Sequence, residues 1–151
     1  MSLVVQKYGG TSLGNAERLQ NVAKIIADTL QQNRVIVVVS AMSSYTKAEG
    51  TTSRLLEAGD LAISGGPFFR VLDLVEQSHF KALEDAISDS VIMEEVKEYI
   101  HEELRSLKAF LEAIHVINEI SPRSQDLIIG TGERLSARLL SGVLKSYGID
   151  S

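Results

Sequence analysis

The run Lys7-Tyr8-Gly9-Gly10-Thr11-Ser12 places a cation, two residues without side chains and two hydroxyls in consecutive register. Glycines let a ligand approach the backbone, and their amides, with a following helix N-terminus, can donate to phosphate oxygens. A lysine before them supplies a rotatable point charge able to follow a phosphoryl group as it transfers. Thr11 and Ser12 would add donors or cap the helix. The run is neither G-x-x-x-x-G-K-[ST] nor G-x-G-x-x-G, because the lysine precedes the glycines. A purely structural turn accounts for the same residues, and on physics alone both readings stand.

Two further groups of residues qualify. Ser40 follows the apolar stretch Val35 to Val39, with Ser43, Ser44 and Thr46 beyond it. The carboxyl ends of parallel strands are where α/β sheets place ligands, although such hydroxyls also serve turns and caps. In Gly130-Thr131-Gly132-Glu133-Arg134, Glu133 reads as the opening of a helix, where a carboxylate is favoured by the dipole. Functionally, the same carboxylate could grip a substrate ammonium. Arg134 and Arg138 are anion ligands or, more simply, surface residues.

The elements that must position these groups follow from periodicity. Leu3 to Gln6 reads as a strand running into Lys7. Asn15 to Leu30 then switches to helical period, with Leu19, Val22, Ile26 and Leu30 on one face. Val35 to Val39 is continuously apolar, which suits a strand in a sheet covered on both sides. Strand, helix and strand make a βαβ unit with parallel strands, adjacent or not. Helices are expected at Ser53–Gly59, Val71–Leu83 and Met93–Ile117, with Ser64 to Pro67 as a turn or the start of a new element. The last of these helices would pack in a helical layer or, given its length, as a coiled coil. Pro122 marks a break, and Leu127 to Ile129 is a short strand or the approach to a final helix carrying Leu135, Leu139 and Val143. Gly148 is placed as its C-cap, and Ile149-Asp150 looks like the start of another strand, as in a truncated protein.

Bulk properties narrow the class. The 151 residues amount to one domain, 44% hydrophobic and 23% charged. A net charge of −5 gives no basic field for nucleic acid or an acidic membrane. The acidic excess between Glu84 and Glu103 reads as a solvated helix face. Without cysteine there is no disulfide, thiolate zinc site or cysteine nucleophile, and the three histidines have no metal-ligand spacing. No metal ligand is assigned. No leader or spanning segment stands out, so a soluble, cytoplasmic chain is expected.

In order, the three pieces resemble the N-terminal part of the aspartokinases, within the amino acid kinase family. Lys7 to Ser12 resembles their opening K-F-G-G-T-S, Val37 to Met42 the strand and loop carrying their substrate serine, and Gly132 to Leu140 their third block. Acetylglutamate kinases share the lysine-tyrosine-glycine-glycine start, but Thr11-Ser12 and Gly132-Glu133-Arg134 point to aspartokinase. The loop from Ser43 to Leu56 resembles the fungal type, with its threonine matched at Thr46 and Lys47 standing for the usual asparagine or aspartate.

The resemblance implies an α/β fold: a three-layer α/β/α sandwich with a mainly parallel central sheet, carbamate-kinase-like. Residues 1–151 would be the aspartate-binding side of the catalytic domain, the nucleotide-binding half and regulatory ACT domains being absent. It further implies transfer of the ATP γ-phosphate, with Mg2+, to the β-carboxylate of L-aspartate. The product, 4-phospho-L-aspartate, leads to lysine, threonine and methionine. Lys7 would stabilise the phosphoryl group beside Gly9, Gly10, Thr11 and Ser12. Ser40, Thr46 and Glu133 would hold aspartate, Glu133 facing its amino group. An allosteric amino acid effector of the full-length protein is implied, and exposed strand edges favour a homo-oligomer. The rival expectations are another amino acid kinase, such as acetylglutamate kinase, or a non-catalytic α/β module.

Overall fold

A computed structural model describes all residues from Met1 to Ser151. Strand β1 (Ser2–Tyr8) and strand β2 (Asn33–Val39) are adjacent and parallel, in register from Ser2 opposite Asn33 to Tyr8 opposite Val39. Helix α1 (Ala16–Leu30) connects them, and α2 (Thr51–Ser64), α3 (Phe68–Ala86), α4 (Ser90–Ile117) and α5 (Pro122–Ser146) follow. The βαβ unit is therefore present, with its two strands as direct neighbours.

Local chemistry explains most boundaries. Asn15 caps α1 by accepting from the Arg18 amide at 3.0 Å. Asp89 caps α4, accepting from the Val91 and Ile92 amides at 2.9 and 3.1 Å. Gly65, at φ 75°, ends α2 in the left-handed region that glycine adopts without strain. Gly148, at φ 74°, does the same beyond α5, as its position in the sequence predicts. Ser121 caps α5 and Pro122 occupies its first turn, so the break at the proline is a helix start. Leu127 to Ile129 belong to that helix, which resolves the strand-or-helix ambiguity.

The buried faces repeat at helical spacing. Leu19, Val22 and Ile26 of α1 meet Val75 and Leu83 of α3, Ile100 and Leu111 of α4, and Leu135, Leu139 and Val143 of α5 in one core. Helix α4 packs within this layer against α2, α3 and α5, so its long apolar stripe serves the layer and not a coiled coil. The acidic excess is partly neutralised along its length: Glu84 pairs with Lys97, Glu103 with Arg134, and Glu95 with Arg138 and Lys145.

Two expectations change. The β2 run is covered on one face only: Val35, Val37 and Val39 turn inward while Ile36 and Val38 are 48% and 46% exposed. On β1, Leu3, Val5 and Lys7 share that open face. Strand alternation forces this, because the helices that contact β2, α1 and α5, cover only the face carrying Val35, Val37 and Val39. Residues 149–151 form no strand; Ser151 bonds Ser141. The α/β fold thus appears as a parallel pair backed by one helical layer.

Candidate functional site

Both strands end on the same side of the sheet, and the three sequence pieces meet there. The Ser40 amide donates to the Tyr8 carbonyl at 3.1 Å, and the Ser43 amide to the Gly10 carbonyl at 3.0 Å. The loop after β2 is thereby laced onto the glycine turn after β1. Gly132 of α5 closes the arrangement from behind. A Cβ there would stand 2.8 Å from Ala41 Cβ and 3.1 Å from Thr51 Cγ2, so only glycine allows α5 to approach so closely.

The two glycines of the turn have different tasks. A Cβ on Gly10 would lie 2.3 Å from the Ala41 carbonyl oxygen and 2.9 Å from Ser43 Cβ. Gly10 is required by contact with the second loop. Gly9 has extended backbone at φ −74°, ψ 163°, which any residue adopts, and a Cβ there would meet nothing within 4 Å. Neither conformation nor packing demands a glycine at position 9. Open space over a bare backbone beside Lys7 is what close approach of a phosphate needs.

Lys7 projects from the open sheet face, exposed and outside every ion pair of the structure. Its neighbour Tyr8 turns inward and donates to Gln6 Oε1 at 2.9 Å, while the Gln6 amide reaches Thr29 Oγ1 on α1. Burial pushes the Tyr8 phenol above its ordinary pKa, so it remains a donor. Thr11 and Ser12 lie in a 3-10 turn, Gly10–Leu13, and Asn15 caps α1 in their place. Their hydroxyls are therefore not engaged as caps.

The remaining predicted residues divide. Ser40 is half-buried at the strand end. Thr46 is exposed; its backbone bonds Ser44 Oγ and its hydroxyl bonds nothing. Glu133 is exposed and unpaired, but it does not open a helix: α5 starts at Pro122, so the dipole argument for it fails. The glycines at 130 and 132 suggested a break where the helix in fact runs through. Arg134 and Arg138 are held on the α4 side, Arg134 by Glu103 at 2.8 Å, Arg138 near Glu95 and over the Tyr99 ring. No hydrogen bond joins Lys7, Ser40, Thr46 and Glu133 to one another.

Sequence reasoning missed several residues. Thr51, 3% exposed, begins α2 against Gly132, and its amide donates to the Met42 carbonyl at 3.1 Å. Its helix is preceded by Gly50 and has no side-chain cap, so no side chain engages the amides of Thr52 and Ser53. The doublet Thr51-Thr52 after a glycine was the available signal. Arg18 and Tyr45, which bridge the two loops, had none. A cavity of about 340 Å3 between Tyr8, Thr11, Ser12, Arg18 and Tyr45 borders the glycine turn. Another, of about 210 Å3, lies behind Ser43, Ser44 and Thr51 towards α3. Lys7, Ser40 and Glu133 line neither. No three carboxylate or imidazole groups stand together as a metal site, and no helix is long and apolar enough to cross a membrane.

Comparison with known proteins finds relatives of the whole chain. Residues 2–151 match the family model described as "Amino acid kinase family". The aspartokinase of Schizosaccharomyces pombe is 42% identical over 150 residues, covering 98% of this chain and 29% of that protein. That of Candida albicans is 39% identical over 150 residues, covering 98% and 27% respectively. Escherichia coli aspartokinase III, solved in complex with aspartate and ADP in the R-state, superimposes with a TM-score of 0.76 at 25% identity, over 97% of this chain and 29% of that one. The chain spans less than a third of the length of these relatives.

Proposed function

The chain belongs to the amino acid kinase family, and we propose that it is the N-terminal, aspartate-binding part of an aspartokinase catalytic domain. The whole enzyme would transfer the γ-phosphoryl group of ATP to the β-carboxylate of L-aspartate, releasing ADP and 4-phospho-L-aspartate. Gly9 is the observation that carries this reading: a residue with ordinary dihedrals and open space above it, two positions after a Lys7 that joins no ion pair. The ordering of the three sequence blocks around one strand end supports it.

The substrate's own carboxylate is the nucleophile, so the chain need supply no covalent group. Its task is to orient two anions and offset their charge. Lys7 stabilises the transferring phosphoryl group, and the amides of Gly9 and Gly10 with the hydroxyls of Thr11 and Ser12 receive phosphate oxygens. Ser40 and Thr46 bind the aspartate carboxylates, and Glu133 binds its ammonium. Thr51 and Thr52, at an uncapped helix start beside Gly132, offer a second hydroxyl position for the same task. Mg2+ would shield the phosphates; with no metal-ligating cluster of its own, this chain fits a cation carried by the nucleotide. The nucleotide half, an allosteric amino acid effector and self-association belong to the longer protein in this reading.

The test is ATP- and magnesium-dependent acyl-phosphate formation from L-aspartate, trapped with hydroxylamine. The 151-residue chain is assayed beside the full-length product of its locus. Activity in the longer protein is the expected result. A folded longer protein that phosphorylates N-acetylglutamate and not aspartate would overturn the substrate assignment, and one inactive on both would favour a non-catalytic module.

A further inference from the structure

Arg18 of α1 reaches both loops of the site at once. Its Nη1 donates to the Thr11 carbonyl at 2.7 Å, and its guanidinium carbon lies 4.2 Å from the centroid of the Tyr45 ring. Beneath it, Gly14 leaves space that a side chain would remove: a Cβ there would stand 2.2 Å from the Ser43 carbonyl oxygen and 3.4 Å from Arg18 Nη1. Tyr45 is 85% exposed, and its hydroxyl bonds nothing. An aromatic ring this exposed is not held by the core; the guanidinium face is what it stacks on.

We propose that Arg18 and Tyr45 form a clasp that sets the position of the substrate loop, Ser43 to Thr46, relative to the glycine turn. The inference rests on the reading of these loops as aspartate and phosphate sites. Arg18 is a positioning residue: it holds the Thr11 carbonyl with one nitrogen and the Tyr45 ring with its planar face. A lysine cannot do both, because its ammonium lacks the flat, forked geometry. The ring faces the cavity shared with Thr11 and Ser12, so release of Tyr45 frees the loop carrying Thr46 without opening the core.

The clasp predicts a specific kinetic pattern in the full-length enzyme. Arg18→Ala and Tyr45→Ala each raise the KM for aspartate about two- to fivefold, the range an exposed cation–π contact supports, and leave the KM for ATP unchanged. Arg18→Lys behaves like the alanine variant, while Tyr45→Phe, which keeps the ring, restores the wild-type KM. The double variant Arg18→Ala, Tyr45→Ala is no worse than Arg18→Ala alone. A merely structural role would lower the active fraction and leave both KM values alone. Hydrogen exchange on the 151-residue chain reads the same contact without catalysis: Arg18→Ala accelerates exchange in 9–14 and 41–46 and leaves α3 and α4 unchanged. Independent, multiplying effects of the two alanines, or unchanged exchange in both segments, would overturn the clasp. Should the wild-type longer enzyme fail to phosphorylate aspartate, the proposed function falls, and the exchange result decides the clasp by itself.

Discussion

His79 gives the fold a built-in acid sensitivity. Its side chain is fully buried in α3, Nδ1 lies 2.7 Å from the Val75 carbonyl oxygen, and Nε2 has no partner. With Nδ1–H donating to that carbonyl, a proton on Nε2 would be buried and unpaired. Burial is the main cause that lowers the pKa from 6.5 to about 4; the bond to Val75 opposes it and the Arg54 charge adds to it. Above pH 6.5 the imidazole is neutral folded and unfolded, and contributes no pH dependence. As pH falls from 6.5 towards 4 the unfolded chain binds a proton that the folded chain refuses, so stability falls. Below about 4 both states bind it and the loss levels off. At about 1.4 kcal/mol for each tenfold change in affinity, the full loss is about 3 kcal/mol, a large share of a typical domain's stability of roughly 5–15 kcal/mol. His79→Leu removes the titration at similar volume, and Val75 O keeps its helical partner. Urea unfolding of the wild type and His79→Leu from pH 8 to pH 4 isolates the term, because other groups titrate alike in both. The leucine variant should gain about 3 kcal/mol on the wild type across that range. Parallel stability curves would refute the reasoning.

Four other variants separate folding from function. Gly10→Ala drives a Cβ into the Ala41 carbonyl and should cost about 1–3 kcal/mol in denaturant unfolding. Gly9→Ala meets open space, so it should unfold like the wild type yet lower kcat/KM for ATP about tenfold or more; unaltered kinetics would remove phosphate from that position. Lys7→Ala in the full-length enzyme should reduce kcat by about 100- to 1,000-fold with little change in the KM for aspartate, and normal turnover would contradict its role. Glu133→Ala should raise the KM for aspartate about 10- to 100-fold, as expected for loss of a charge-assisted hydrogen bond, and an unchanged aspartate dependence would count against it.

Much of this was legible along the chain because its causes are local. The 3–4 spacing of Leu19, Val22 and Ile26 marks α1, and an apolar stripe of six residues from Val96 to Ile114 marks α4, while the cap expected of Thr11 or Ser12 falls to Asn15 and α4 starts earlier, after Asp89. A lysine, two glycines and two hydroxyls in a row identify a phosphate candidate whatever surrounds them. Glycine, however, is ambiguous in sequence. Glu133, which follows Gly130 and Gly132, reads as a helix opening, yet α5 runs through both glycines, and at Gly132 close packing on Ala41 and Thr51 offsets a glycine cost of about 1 kcal/mol.

Sequence by itself determined the helical and strand periods, the C-terminal cap at Gly148, the parallel βαβ unit and the order of three blocks. The periods, the cap and each block taken singly depend on residues within a few positions of one another. Tertiary structure alone decided that Gly10 and Gly132 are demanded by packing against the Ala41 segment while nothing packs over Gly9. It also decided that Arg18 ties Thr11 to Tyr45, and that one face of the Val35–Val39 strand is bare. Those facts depend on which distant backbones come within van der Waals range, and that distance is a property of the packed helices, not of the neighbouring residues.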